Sequence, residues 1–105
     1  MKVTAWNNGS YSTTGAGYGF KISCKEDRDK YFKREFSPIC IVLPGQQNPI
    51  KVNIDKDSFW KNCRELICKE IGLWLISQGH SKWTKNSPPV FELEFKDFTS
   101  FKLLP

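Results

Sequence analysis

The stretch Pro38-Ile-Cys-Ile-Val-Leu-Pro-Gly-Gln-Gln-Asn-Pro-Ile-Lys-Val-Asn-Ile54 decides the fold class. Two runs rich in β-branched residues, Pro38 to Leu43 and Ile50 to Ile54, flank the turn residues Pro44 to Pro49, and this arrangement predicts a hairpin. In the second run Ile50, Val52 and Ile54 alternate with Lys51 and Asn53, so one face meets a core and the other meets water. Upstream, Lys2 to Trp6 reads as a short strand. Tyr18 to Ser23 reads as a half-buried strand that follows the polar, aperiodic loop from Asn8-Gly9 to Gly17. Downstream, Val90 to Phe95 alternates, Lys96 to Ser100 reads as a turn, and Phe101 to Leu104 closes a second hairpin.

Two helices complete the reading. Between Lys25 and Glu35 the charges are dense and mixed, and Tyr31, Phe32 and Phe36 supply the apolar contacts of a short helix whose other faces are wet. From Asp57 or Ser58, either able to cap, a long helix is predicted to run to about Gln78 and stop at Gly79. Trp60, Cys63, Ile67, Ile71, Trp74 and Leu75, with Leu66 beside them, line its apolar face. Lys61, Arg64, Glu65, Lys69 and Glu70 line the opposite one. The expected class is α+β: a largely antiparallel sheet or open barrel of about six to seven strands with one short and one long helix.

Size and composition bound the rest. A chain of 105 residues with 39% hydrophobic side chains, including 8 Phe, 4 Trp and 3 Tyr, predicts one domain with its own core, without repeats or linkers. No apolar run approaches bilayer length and residues 1 to 8 lack the apolar centre of a secretory signal, so a soluble, cytoplasmic protein is expected. Cys24, Cys40, Cys63 and Cys68 read as small buried thiols. Cys63 and Cys68 would point about 140° apart on a helix, and His80 is the only histidine, so no metal site and no cofactor is expected.

Candidate catalytic patterns are weak. Gly15-Ala-Gly-Tyr-Gly19 precedes a strand rather than a helix, which suits a turn better than a phosphate cradle. Glu92, Glu94 and Lys96 share a strand face as in metal-dependent nucleases, which also need an upstream carboxylate; Asp55 or Asp57 could be invoked, although nothing in the spacing compels it. A plain polar face opposite Phe91, Leu93 and Phe95 accounts for the same letters. A Cys with His80 as base has no spacing to support it, and the histidine reads as a solvated surface residue. No catalytic residue is assigned.

Charge says more. The net charge is +5, and residues 1 to 24 hold Lys2 and Lys21 without an acid, as residues 81 to 91 hold Lys82 and Lys85. The excess lies beside Asn7, Asn8, Ser10, Tyr11, Ser12, Thr13 and Thr14, whose polar groups suit phosphates and base edges. The same +5 would also serve solubility alone.

The order polar loop, Gly17-Tyr-Gly-Phe-Lys-Ile-Ser23, then a short helix ending in Tyr31-Phe32 resembles the DNA-binding pseudobarrel superfamily of plant transcription factors and restriction-endonuclease effector domains. That resemblance implies an open barrel of about seven strands with two helices, gripping the major groove of duplex DNA with two arms of loops and strand edges. Asn7 to Thr14 with Lys21 match the first arm, and Gln46 to Lys51 lie near the second. Glycine and phenylalanine stand at 19 and 20 where isoleucine and proline are usual, and the helix over 58–78 is longer than in the pattern. Cys63-Arg-Glu-Leu-Ile, Lys69-Glu-Ile-Gly72 and Trp74-Leu-Ile76 also look like phrases of small uncharacterised bacterial proteins from mobile gene cassettes.

The expectation is therefore a non-enzymatic DNA-binding module. Lys2, Lys21 and Lys51 would take phosphates, and Asn7, Asn8, Ser10, Tyr11 and Thr13 would reach base edges. A homodimer is compatible with it. The alternatives are a protein-interaction or regulatory module anchored by Tyr11, Trp6 or Trp83, and a small-ligand site between helix and sheet near Phe59, Trp60, Trp74 and Trp83.

Overall fold

A computed structural model describes residues 1–84 and 86–105. Seven strands form one sheet: β1 (Lys2–Asn7), β2 (Tyr18–Ile22), β3 (Ile39–Val42), β4 (Ile50–Val52), β5 (Glu65–Ile67), β6 (Val90–Asp97) and β7 (Ser100–Leu103). Their order is β4-β3-β7-β6-β1-β2-β5, with β3 parallel to β7 and every other neighbour antiparallel. The helices are α1 (Lys25–Tyr31), α2 (Asp57–Trp60) and α3 (Lys69–Ser77), with a 3-10 turn over Arg34–Phe36. This is the expected α+β class.

The sheet curls until its two edges nearly meet. Cys68, just past β5, brings Sγ to 3.7 Å from the Lys51 carbonyl oxygen on β4. The thiol's one proton goes to Glu70 Oε2 at 2.7 Å, so the contact with β4 is a close approach rather than a second donated bond. The period-2 pattern fills the interior: Val3 and Ala5, Tyr18, Phe20 and Ile22, Ile39 and Ile41, Ile50 and Val52, Leu66, Leu93, Phe101 and Leu103 all point inward. Phe32, Phe59, Ile71, Trp74 and Leu75 join the same core.

The hairpin from β3 to β4 pairs Ile39 with Val52 and Ile41 with Ile50, as its sequence predicts. β6 runs to Asp97, past the expected end at Phe95, and a register shift between Phe95 and Asp97 absorbs the extra length. The turn to β7 is held by Asp97 Oδ1, which accepts from Thr99 N at 2.8 Å and Thr99 Oγ1 at 2.7 Å.

The long helix over 58–78 is broken into α2, β5 and α3. Residues 65 to 67 pair with the free edge of β2, Lys21 with Glu65, Phe20 with Leu66 and Gly19 with Ile67. The strand turns the predicted stripe over: Leu66, beside the stripe of 63, 67 and 71, is the residue β5 buries, and Ile67, on the stripe, is exposed. Leu66 faces the core, while Glu65 and Ile67 face outward. Arg64, in the left-handed region at φ 54°, turns the chain into β5. Neither Asp57 nor Ser58 caps α2; Lys56 precedes it without a side-chain bond, and the Asp57 carboxylate accepts from Arg34 instead. The expected stop at Gly79 holds: its φ is 83°, and the amides of Gly79 and His80 return to the carbonyls of Ile76 and Leu75.

Three further expectations change. The face of α1 read as wet carries a buried arginine: Arg28, 3% exposed, donates from Nη1 to the carbonyls of Phe59 and Lys61, each at 3.0 Å. These are carbonyls at the end of α2, which a fixed cation is suited to satisfy. The four thiols are half-buried rather than buried, and none is joined in a disulfide among the described residues. His80 is also half-buried, its ring edge-on to Phe91 at 5.9 Å.

Candidate nucleic-acid interface

The loop between β1 and β2 is built from its own polar side chains. Asn7 Oδ1 accepts from Gly9 N at 2.7 Å and Tyr11 N at 3.1 Å; Asn8 Oδ1 accepts from Ser10 N at 3.0 Å and Ser10 Oγ at 2.8 Å. Ser12 Oγ donates to the Ala16 carbonyl at 3.0 Å and lies 3.1 Å from Thr14 Oγ1. The Asn8 amide closes the loop on the Gly17 carbonyl at 2.9 Å. Such short-range bonds from Asn and Ser compete well with regular structure and fix a loop's shape. Thus Asn8, Ser10, Ser12 and Thr14 hold the loop together, and the Thr13 and Tyr11 hydroxyls take no part in those bonds.

The loop is fastened to α3. Gly15 is buried against Gly72, and a Cβ added at Gly72 would stand 2.1 Å from the Gly15 carbonyl oxygen. A Cβ at Gly15 would in turn meet the Lys69 carbonyl oxygen at 2.5 Å. The glycines after the loop therefore serve close backbone approach, in keeping with a turn entering a strand. At Gly19 the neighbour is the Leu66 carbonyl oxygen of β5, 2.3 Å from a Cβ there, so a larger residue would push β5 off β2. The turn from β3 to β4 is tied to the same helix, because Trp74 Nε1 donates to the Pro44 carbonyl at 3.2 Å. Both segments expected to act as arms are thus fastened to α3.

Asn7, Tyr11 and Lys21 come together in an open groove of about 570 Å³, with Thr4, Ala5, Trp6, Trp83, Asn86 and Pro88 as the remaining lining. Its second wall is the chain after α3, which folds back along β1 through the Ala5 amide and the Pro89 carbonyl at 2.8 Å. Tyr11, Tyr18 and Trp83 pack edge to face, with Tyr11 and Trp83 centroids 5.4 Å apart. The Tyr18 hydroxyl donates to the Ser81 carbonyl at 2.6 Å, and burial, with Tyr11 beside it, raises its pKa above the usual phenol value.

The other cations are spread out. Lys2 is exposed on the outer face of β1, opposite Glu92, and Lys21 lies opposite Glu65. Lys51 is exposed on β4, across the barrel seam from β5, so β5 lies between it and Lys21. None of the three takes part in an ion pair among the described residues. Lys82 is exposed, and Lys85 lies outside the described residues. Glu94 pairs with Lys96 on β6 and faces Lys102 on β7, and these cations hold its carboxyl below the usual range.

Phe59, Trp60, Trp74 and Trp83 belong to three aromatic groups instead of one pocket. Phe59 and Trp60 pack with Phe32, Trp74 with Phe20 and Phe91, and Trp83 with Tyr11 and Tyr18. The sequence analysis does not single out Thr4, Asn86 or Pro88; the signal that could have found the segment is Pro88-Pro89, since a residue before proline is pushed toward extended backbone. Comparison of the chain with family models, with curated proteins and with solved structures finds no match.

Proposed function

We propose that the chain is a non-enzymatic DNA-binding module of the kind carried by small bacterial or mobile-element proteins, and that its partner is duplex DNA. The observation that carries the reading is the common anchorage on α3 of the loop between β1 and β2, through Gly15 and Gly72, and of the turn between β3 and β4, through Trp74 and Pro44. Two arms on one rigid support can straddle a duplex in a fixed register, which a DNA-binding module needs before any base is read. The resemblance to pseudobarrel domains gains support from seven strands in a nearly closed sheet, with α1 after β2 and α3 after β5.

In this reading Lys2, Lys21 and Lys51 contact phosphates, while Asn7, Tyr11 and Thr13, with Asn8, Ser10, Ser12 and Thr14 shaping the loop around them, face the bases. Fluorescence anisotropy on random duplex DNA tests it. With three phosphate contacts, affinity falls about 40-fold between roughly 50 and 200 mM salt. Absence of binding at the lower salt overturns the reading. A salt-insensitive homodimer by light scattering would then point to a protein partner.

A further inference from the structure

The groove beside Lys21 has a chemistry that phosphate contacts do not use. Trp6 reaches it because Val3 and Ala5 point into the core, leaving Thr4 and Trp6 on the outer face of β1. Tyr11 reaches it from a left-handed backbone, φ 48°, a conformation that a bulky residue keeps only when its surroundings impose it and that clusters at ligand sites. Here the Tyr11 amide is held by Asn7 Oδ1, and its ring is held by Trp83 at 5.4 Å and 79°. Nearly perpendicular rings make a corner: a flat ligand stacked on one ring meets the edge of the other.

The polar groups are equally specific. Asn7 Oδ1 is committed to the amides of Gly9 and Tyr11, which fixes which end of the side-chain amide is the donor. That donor, Nδ2, is buried and has no hydrogen-bond partner. With no surface open to the groove, Nδ2 is out of a ligand's reach, and Asn7 serves the groove by holding the Tyr11 amide in place. Lys21 supplies a cation, and no carboxylate is among the groove's lining residues within the described part of the chain. At about 570 Å³ the groove lies within the range of about 300–1,000 Å³ usual for small-ligand sites.

We infer that this groove receives a single nucleobase lying outside the helical stack of bound DNA. The base stacks on the Trp6 indole, beside the corner made by Tyr11 and Trp83, and Lys21 neutralises the adjoining phosphate. A base inside a duplex has both faces covered by its neighbours, so only an extrahelical base can use such a corner. Absence of carboxylate from the lining favours a phosphate-linked ligand over a neutral sugar. This inference rests on the DNA-binding reading and specifies what its first arm holds.

The test compares two short duplexes of one sequence, one fully paired and one carrying a single bulged 2-aminopurine, by anisotropy and by the emission of that base. The expected result is about tenfold tighter binding of the bulged duplex, the lower range of one base stacked on an aromatic side chain, together with quenched 2-aminopurine emission. Trp6→Ala brings the affinity ratio to about one, and Trp6→Phe, which keeps a ring on the same surface, retains part of it. Equal affinities with unchanged emission, while salt-dependent binding of the paired duplex persists, overturn the base pocket and leave the duplex reading standing. Binding to neither duplex overturns both.

Discussion

Arg28 shows how one side chain can fix a joint that sequence presents as surface. It lies in a run of alternating charges, where a solvated helix face is the natural reading, yet its guanidinium holds the Phe59 and Lys61 carbonyls and lies 5.5 Å from the centre of the Trp60 ring. Arg28→Ala leaves two carbonyls without their donor and is expected to lower unfolding free energy by about 3 kcal/mol in urea titration. Arg28→Lys should recover part of this, because a point charge replaces a planar fork. Asp97 is a smaller case at the surface. Its carboxylate accepts from Thr99 N and Oγ1, and these bonds hold its pKa below the ordinary aspartate value. The unfolded chain then binds a proton more readily than the folded one, so this contribution is complete above the unfolded pKa and disappears as pH falls through the lowered folded value. Asp97→Asn should therefore cost stability at neutral pH and little in strong acid, as thermal melting across that range would reveal.

Among the elements, the hairpin of β3 and β4 and the pair β6 and β7 were legible because alternation and turn residues are local signals. β5 was not. Its three residues sit between two genuinely helical stretches, and what makes them a strand is pairing with β2, more than forty positions earlier. Local letters carry no record of such a partner, and Ile67 and Ile71 keep helical spacing across the break. The groove was half legible: polar residues 7 to 14 stood out, whereas its second wall depends on the segment after α3 folding back onto β1. Two glycines of the α3 region should respond to different degrees because of their settings. Gly72→Ala improves helix propensity by about 1 kcal/mol, yet its Cβ meets backbone at 2.1 Å, so a net loss of about 2 kcal/mol is expected. Gly79→Ala meets nothing within 4 Å and should cost only about 1 kcal/mol for its left-handed backbone. Equal losses in the two variants would show that Gly15 can move away from α3.

Across the molecule, the charge that reads as a plain excess of +5 is distributed over separate strands. Lys21 and Lys51 stand on either side of β5, and each is expected to release its own counterion on binding DNA. Lys21→Ala and Lys51→Ala should each reduce the slope of log affinity against log salt by about 0.9, and together by about 1.8. One single variant with an unchanged slope, and a double variant matching the other, would mean that only one side of the seam faces the ligand. No helix among the described residues is long and apolar enough to cross a membrane.

The contact between Gly15 and Gly72 has a bearing on inheritance as well as on shape. Because the loop is clamped at Asn8 by Gly17 and at Gly15 by α3, the exposed Thr13, whose hydroxyl takes no part in the loop's bonds, can change identity without disturbing the barrel. On the proposed reading, exchange at that one position would alter what the loop meets, with the two glycines passed on unaltered as the hinge plate on which the loop is mounted.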